Sequence, residues 1–295
     1  MILNVSGRTD IVAFYTPWFM KRYREGFVDV RNPFNPKLIS RISFNDVDLI
    51  VFCTKNPKPI LKYIKEIKKP ILFQITLTSY KKDIEPNVIN KNEIIECIKE
   101  LSNIIGKDFI SVRYDPIFIS DKYNINYHIK AFDRLCSKLS GYVNNIIISF
   151  IDEYKNVLKN LKALNYHDIT DDEYEIIGKE FSRIAKENNL IVQTCFEKRD
   201  LIEYGFTKSD CVPITLAYTL TGKKFPKWHA RKGDLCNCAQ MVDIGVYNSC
   251  RHFCKYCYAN FDEKKVNQNF SKHDINSTLL VGHIEKDDII KERKK

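Results

Sequence analysis

The chain has 295 residues, enough for one large domain or two small ones, and 44% of it is apolar, ample for a sizeable core. Its 47 Lys and Arg against 37 Asp and Glu give a net charge of +10, which admits an anionic substrate or nucleic acid; the lysines are nevertheless scattered through helical segments, and the one dense run, residues 291–295, reads as a frayed tail. No run of about 18 apolar residues is present, which argues against a helical membrane span.

In chain order, a β-branched run over residues 2–6 predicts a first strand. A helix over 11–25 follows, with Phe14, Trp18, Phe19 and Tyr23 at helical spacing, which reads as core packing. Strands are expected over 48–53 and 71–77, then a helix over 92–105 carrying Ile94, Ile95, Ile98, Leu101 and Ile105. Further strands over 109–114 and 145–151 precede a helix over 172–188, capped by Thr170, and a sixth strand over 190–196. Strands alternating with helices predict βα units and a mostly parallel sheet.

Successive side chains of a strand point to opposite faces. One parity is polar: Asn4, Ser6, Arg8 and Asp10; Gln74, Thr76 and Thr78; Ser111, Arg113 and Asp115; Gln193, Cys195 and Glu197. The other is apolar, as in Leu3 and Val5, or Phe73, Ile75 and Leu77. A closed eight-stranded barrel would fill its interior with branched apolar groups, so polar inner faces predict a wider, partly open barrel around a substrate cavity. The charged residues fall at strand ends, where α/β barrels place their sites.

The opening MILNVSGRTD lacks the basic and long apolar stretches of a secretory signal, so a cytoplasmic location is expected. In that reducing setting ten cysteines read as metal ligands or redox groups rather than disulfides. The run Cys250-Arg-His-Phe-Cys254-Lys-Tyr-Cys257 can hold three corners of a four-iron cluster, leaving one iron open. Alternatively Cys236 or Cys238 closes the site as a fourth ligand, or four of these thiols bind structural zinc. Cys195, Cys236 and Cys238 are candidates for a second site, an auxiliary cluster or metal completed by His229, His252 or substrate. Cys53, Cys97, Cys136 and Cys211 sit in apolar patterns and are expected in the core.

The C-x3-C-x-aromatic-C spacing resembles the cluster motif of the radical S-adenosylmethionine superfamily. That resemblance implies a [4Fe-4S] cluster on Cys250, Cys254 and Cys257, S-adenosylmethionine chelated at the open iron, and Tyr256 near its adenine. It also implies cleavage to a 5′-deoxyadenosyl radical that abstracts hydrogen from a substrate, a reductant such as ferredoxin or flavodoxin, and a partial (β/α)6 TIM-like barrel. More closely, Gly7-Arg-Thr-Asp10, Val30-Arg-Asn-Pro-Phe-Asn35, Thr54-Lys-Asn-Pro57, Arg113-Tyr-Asp-Pro116, Thr194-Cys-Phe-Glu197, Cys236-Asn-Cys238 and Asp243-Ile-Gly-Val-Tyr247 resemble the DUF1848 family, whose C-terminal cysteines have been likened to that cluster. Two features depart from the superfamily: the cysteine loop follows the sixth expected strand instead of the first, and no Gly-Gly-Glu type motif follows any strand.

The expected organisation is a barrel over residues 1–230 and a cysteine-rich segment and tail over 231–295 packing on its mouth. Arg113, Asp115 and Glu197 are the candidate catalytic groups, and Arg8, Asp10, Lys55 and Tyr256 the candidate cofactor contacts; an internal ion-pair network is the alternative role for the charged ones. A non-catalytic iron–sulfur or zinc module, and a radical enzyme acting on nucleic acid, are the other functional readings. No P-loop, dinucleotide-binding glycine motif or nucleophile elbow is present.

Overall fold

The computed structural model describes residues 1–152, 154, 157, 158, 160, 165–195, 197, 199, 201–208, 210–228 and 238–294. Its strands are β1 (Ile2–Val5), β2 (Phe27–Arg31), β3 (Leu38–Ser43), β4 (Leu49–Thr54), β5 (Ile71–Thr76), β6 (Ile110–Ile117), β7 (Ile119–Ser120), β8 (Asn145–Phe150), β9 (Tyr166–His167), β10 (Ile191–Thr194), β11 (Thr207–Lys208), β12 (Met241–Asp243) and β13 (Ile289–Glu292). Eight of them form one sheet in the order β11-β10-β8-β6-β5-β4-β1-β12. Every pairing in it is parallel. The six strands expected from sequence are its six consecutive central members, and β11 and β12 extend its edges.

The sheet is not closed: among the described residues no ladder joins β11 to β12. The chain just before β12 does meet the segments on either side of the helix Ile214–Thr221 through antiparallel bridges, Pro213 to Cys238 and Lys227 to Ala239. Outside the main sheet, β3 pairs antiparallel with β2 and parallel with β13. The basic tail is therefore not frayed through Glu292, because backbone pairing with β3 orders it.

Local sequence explains the helices. Asp10 caps Ile11–Phe14 by accepting from the Ala13 N–H, and the expected single helix breaks at Tyr15 before Thr16–Glu25, which carries Pro17 in its first turn. Gly26 closes that helix at φ 86°, a conformation that favours glycine. Asn90 and Asn124 cap Lys91–Ile105 and Ile125–Leu139, and Thr170 with Glu173 forms a capping box on Asp171–Glu187. Ile125–Leu139 was not among the expected helices.

These helices cover the apolar parity of the strands. Phe52 stacks on Phe73 at 4.9 Å between ring centroids, and Phe132 on Phe181 at 3.9 Å. Each such fully buried ring contributes about 1.5–3 kcal/mol. The opposite, concave parity is divided along its length. Ile2, Leu49, Val51 and Leu72 pack at its amino end with Val212, Ala217 and Ala239, so the helix Ile214–Thr221 plugs that end. Towards the carboxyl end the same parity turns polar and is left uncovered by the plug. Among the described residues no helix is long and apolar enough to cross a membrane.

Candidate functional site

At the carboxyl ends of β1, β4, β5, β6, β8 and β10 lies a cavity of about 440 Å³. Ligands of parallel α/β sheets bind at this end, and the volume suits a small molecule. Asn4, Gln74, Thr76, Arg113, Asp115, Cys195 and Glu197 all line it, as strand parity requires. So do Cys250, Cys254, Tyr256 and Cys257, which form one wall.

That wall is a loop leaving β12, the neighbour of β1. Asp243 fixes its departure: its carboxylate accepts from Ser6 Oγ at 2.7 Å, the Gly7 N–H at 2.6 Å, Arg8 Nε at 3.1 Å and the Gly245 N–H at 2.6 Å. A Cβ on Gly245 would sit 1.9 Å from Ser6 Oγ, so only glycine fits this approach. The Arg8 guanidinium is thereby committed to Asp243 and lies over the Tyr247 ring, 5.6 Å from its centroid, away from the cavity lining.

The cysteine loop has no helix or strand, so its backbone groups are satisfied by scattered backbone partners and by side chains of the body and of the loop itself. Tyr15 donates to the Ser249 carbonyl at 2.6 Å, Asn87 to that of Arg251 at 2.8 Å, and Asn260 to that of Cys250 at 2.6 Å. Asn248, at φ 54°, accepts from the Phe261 N–H at 2.6 Å. Phe253 stands at φ 55°, costly for a bulky residue, immediately before Cys254.

Two buried carboxylates anchor the loop. Asp10 accepts from Thr54 Oγ1, the Lys55 N–H and the Ala13 N–H, each at 2.8 Å, and pairs with His252 Nε2 at 2.9 Å. It ties β1, the first helix, β4 and the cysteine loop together. Glu85 accepts from Lys55 Nζ at 2.9 Å and Thr78 Oγ1 at 2.7 Å, and also from Lys91 Nζ and the Tyr256 hydroxyl. Burial opposes ionisation of Glu85, but Lys55 and Lys91 outweigh it and hold the carboxyl well below the usual range. The Lys55 ammonium lies 5.3 Å from the centroid of the Tyr256 ring.

Burial pushes the Cys254 thiol up to about 12, against the pull of Lys55, and raises Cys250 and Cys257 as well. Cys250 feels both Cys257 and Cys254. Among the described residues, however, no three His, Cys, Asp or Glu side chains converge closely enough to bind a single metal ion.

The cavity floor holds a second thiol group. Cys195 Sγ lies 3.0 Å from Cys211 Sγ, and Cys238 Sγ accepts from the Cys211 N–H at 3.1 Å. Arg113 donates from Nη1 to Cys211 Sγ at 3.0 Å, while Nε and Nη2 hold Asp115 Oδ2 at 2.9 and 2.5 Å. Hydrogen bonds from Cys195 and Cys238, then the Arg113 charge, pull the Cys211 thiol well below its ordinary range. Cys195 is correspondingly driven up, first by its contact with Cys211. Of the expected second-site residues, Cys195 and Cys238 thus converge, but on Cys211, and Cys236 and His229 lie outside the described residues.

Cys211 and Cys53 are corrections to the expected core set: both line the cavity, whereas Cys97 and Cys136 are buried among apolar groups. Cys53 shares the parity of Lys55, just beyond β4, which was a readable signal; Cys211 lies in a loop where no periodicity marks a face. Glu85 and Asp243 were also missed, since a lone acidic residue, in a loop for Glu85 and ending the three-residue β12 for Asp243, carries no pattern. Glu197 accepts from the Phe150 N–H at 2.9 Å, and burial with the nearby Asp152 and Asp115 lifts its carboxyl to about 7.

Residues 2–259 match the family model described as a domain of unknown function, DUF1848, and the chain belongs to that family. No curated protein matches it.

Proposed function

We propose that this DUF1848 member is an iron–sulfur enzyme of the radical S-adenosylmethionine type, acting on a small molecule held in the strand-end cavity. The observation that carries the reading is that Cys250, Cys254 and Cys257, spaced along one loop, together form one wall of that cavity beside Tyr256. A single zinc needs its ligands around one centre, whereas a cubane offers each thiol a separate iron. Three thiols on one loop are the donor set such a cubane takes, each on its own iron. Cys238, a candidate for closing the cluster, accepts from the Cys211 N–H on the floor, and the other candidate, Cys236, lies outside the described residues.

The architecture supports the same reading. The six central strands with their outer helices correspond to a partial (β/α)6 TIM-like barrel, the helix Ile214–Thr221 plugging its amino end. The cysteine loop follows β12, and β12 pairs with β1, so its late place in sequence becomes a place beside the first strand in space. This is the geometry a circularly permuted cluster loop requires.

When bound, a reduced cluster with S-adenosylmethionine on its open iron supplies a 5′-deoxyadenosyl radical able to abstract hydrogen. The chain's own residues place and shield the reactants. Tyr256, its hydroxyl fixed by Glu85, offers a rigid ring to the adenine, and Lys55 offsets anionic charge on the wall. Asp10 positions the loop through His252. Glu197, half-protonated near neutral pH, can give or take a proton at a ligand atom within its reach, with Arg113 and Asp115 orienting polar groups beside it. A cytoplasmic ferredoxin or flavodoxin is the reductant this chemistry calls for.

Anaerobic reconstitution with iron and sulfide, followed by metal and sulfide counts and a cofactor-cleavage assay, tests the proposal. Cluster-bound protein that releases 5′-deoxyadenosine, and loses both properties in Cys254→Ala, is expected. Stoichiometric zinc without sulfide would overturn it.

A further inference from the structure

The floor of the cavity carries chemistry that the cysteine wall does not use. Cys195 and Cys211 present their sulfurs to one another at 3.0 Å, about 1 Å beyond a covalent S–S bond. Both thiols are free, and both line the cavity. Cys211 is held in this orientation from two sides of its backbone: its N–H donates to Cys238 Sγ at 3.1 Å, and its carbonyl accepts from Gln74 Nε2 at 2.6 Å. The Arg113 N–H reaching Cys211 Sγ at 3.0 Å stabilises negative charge on that sulfur and makes it the better attacking group. Cys195, which stands at the end of β10 on the polar parity, is within reach to resolve the product.

We propose that Cys195 and Cys211 are a redox-active thiol pair that exchanges with low-molecular-weight disulfides entering the cavity, Cys211 attacking and Cys195 resolving. The Cys211 thiolate attacks one sulfur of the small disulfide; that S–S bond breaks, a mixed disulfide forms on Cys211, and one small thiolate leaves. Cys195 then gives up its proton and attacks the Cys211 sulfur, closing the Cys195–Cys211 bond and expelling the second small thiolate. Two electrons pass from the protein pair to the small disulfide, and the two thiol protons end on the two small thiols released. The pair operates independently of any cluster on the opposite wall.

The test uses the full chain, reduced, desalted under anaerobic conditions and exposed to 2-hydroxyethyl disulfide, then alkylated, digested and mapped by mass spectrometry. A peptide joining Cys195 to Cys211, with loss of both from the alkylated pool, is expected. In Cys195→Ser the expected product is a persistent mercaptoethanol adduct on Cys211, and in Cys211→Ser no adduct forms on Cys195. The wild-type map needs no variant to fold. Recovery of both thiols fully alkylated overturns the proposal, as does their protection by a metal ion that a chelator releases in stoichiometric amount.

Discussion

The two thiol groups facing this cavity differ in what surrounds them. The floor cysteines are bound to each other and to Arg113, so the protein itself supplies the donor that favours a thiolate on Cys211. The wall cysteines stand on a loop without regular structure, and burial drives all three thiols up. Lys55 and Lys91 are the protein cations acting on Cys254, and both are already neutralised in part by Glu85. The same residue type thus has two environments around one cavity: a floor where Arg113 faces Cys211 and a wall where burial dominates. The wall is held by buried carboxylates, the floor by strand ends, and substitutions should separate them.

The largest effect is expected at Asp10. Asp10→Ala leaves the His252 ring, Thr54 hydroxyl and two backbone N–H groups without their acceptor, and should cost about 3–5 kcal/mol in urea unfolding. It should also expose the wall to limited proteolysis while leaving Cys195–Cys211 crosslinking intact. Equal damage to the floor would break the distinction between the two regions.

Glu85→Gln should cost about 2–3 kcal/mol at neutral pH, because Lys55 and Lys91 lose their shared counter-charge. Its folded carboxyl titrates below the ordinary value, so its stabilisation is present above about pH 4.3 and is lost as pH falls through the folded pKa. Unfolding midpoints measured on the acid side should therefore be steeper for wild type than for the variant; parallel curves would contradict the assignment.

Glu197 has the opposite sign. Its pKa is raised to about 7, so the stability it contributes is full below about pH 4.3 and is lost as pH rises through 7. The stability difference between wild type and Glu197→Gln should shift by about 1–2 kcal/mol across that window, after discounting for partial exposure. A pH-independent difference would remove Glu197 as a proton-exchanging group. The smallest effect is expected for Tyr258→Phe, which deletes the hydroxyl donating to the Gly7 carbonyl at 2.5 Å and should cost about 0.5–1 kcal/mol.

Much of the scaffold could be read from the chain because strand parity and helix periodicity are local. Asn4, Gln74, Arg113 and Cys195 fall on one face by counting in twos, and the six strands that carry or flank them became contiguous sheet neighbours. The edges were harder. β11 and β12 are two and three residues long and exist only through their partners. The plug helix Ile214–Thr221 could not be told from an outer helix, since which side of a sheet a helix covers is a tertiary choice. Within the site, the cysteine spacing announced the wall. The floor announced itself only in part: Cys195 and Cys238 were candidates for a second site, but Cys211, on which they converge, lies in a loop that no pattern singles out. Asp10 and Arg8 looked alike at a strand end, yet Asp10 became the buried hub of the wall and Arg8 was captured by Asp243, a residue 235 positions away.

The most direct measurement of the central claim is the electron paramagnetic resonance spectrum of the reduced, anaerobically reconstituted protein with and without S-adenosylmethionine. The expected result is a [4Fe-4S]-type signal that changes when the cofactor is added and that disappears in Cys250→Ala. A cluster signal indifferent to S-adenosylmethionine would contradict an open iron at the Cys250–Cys254–Cys257 wall.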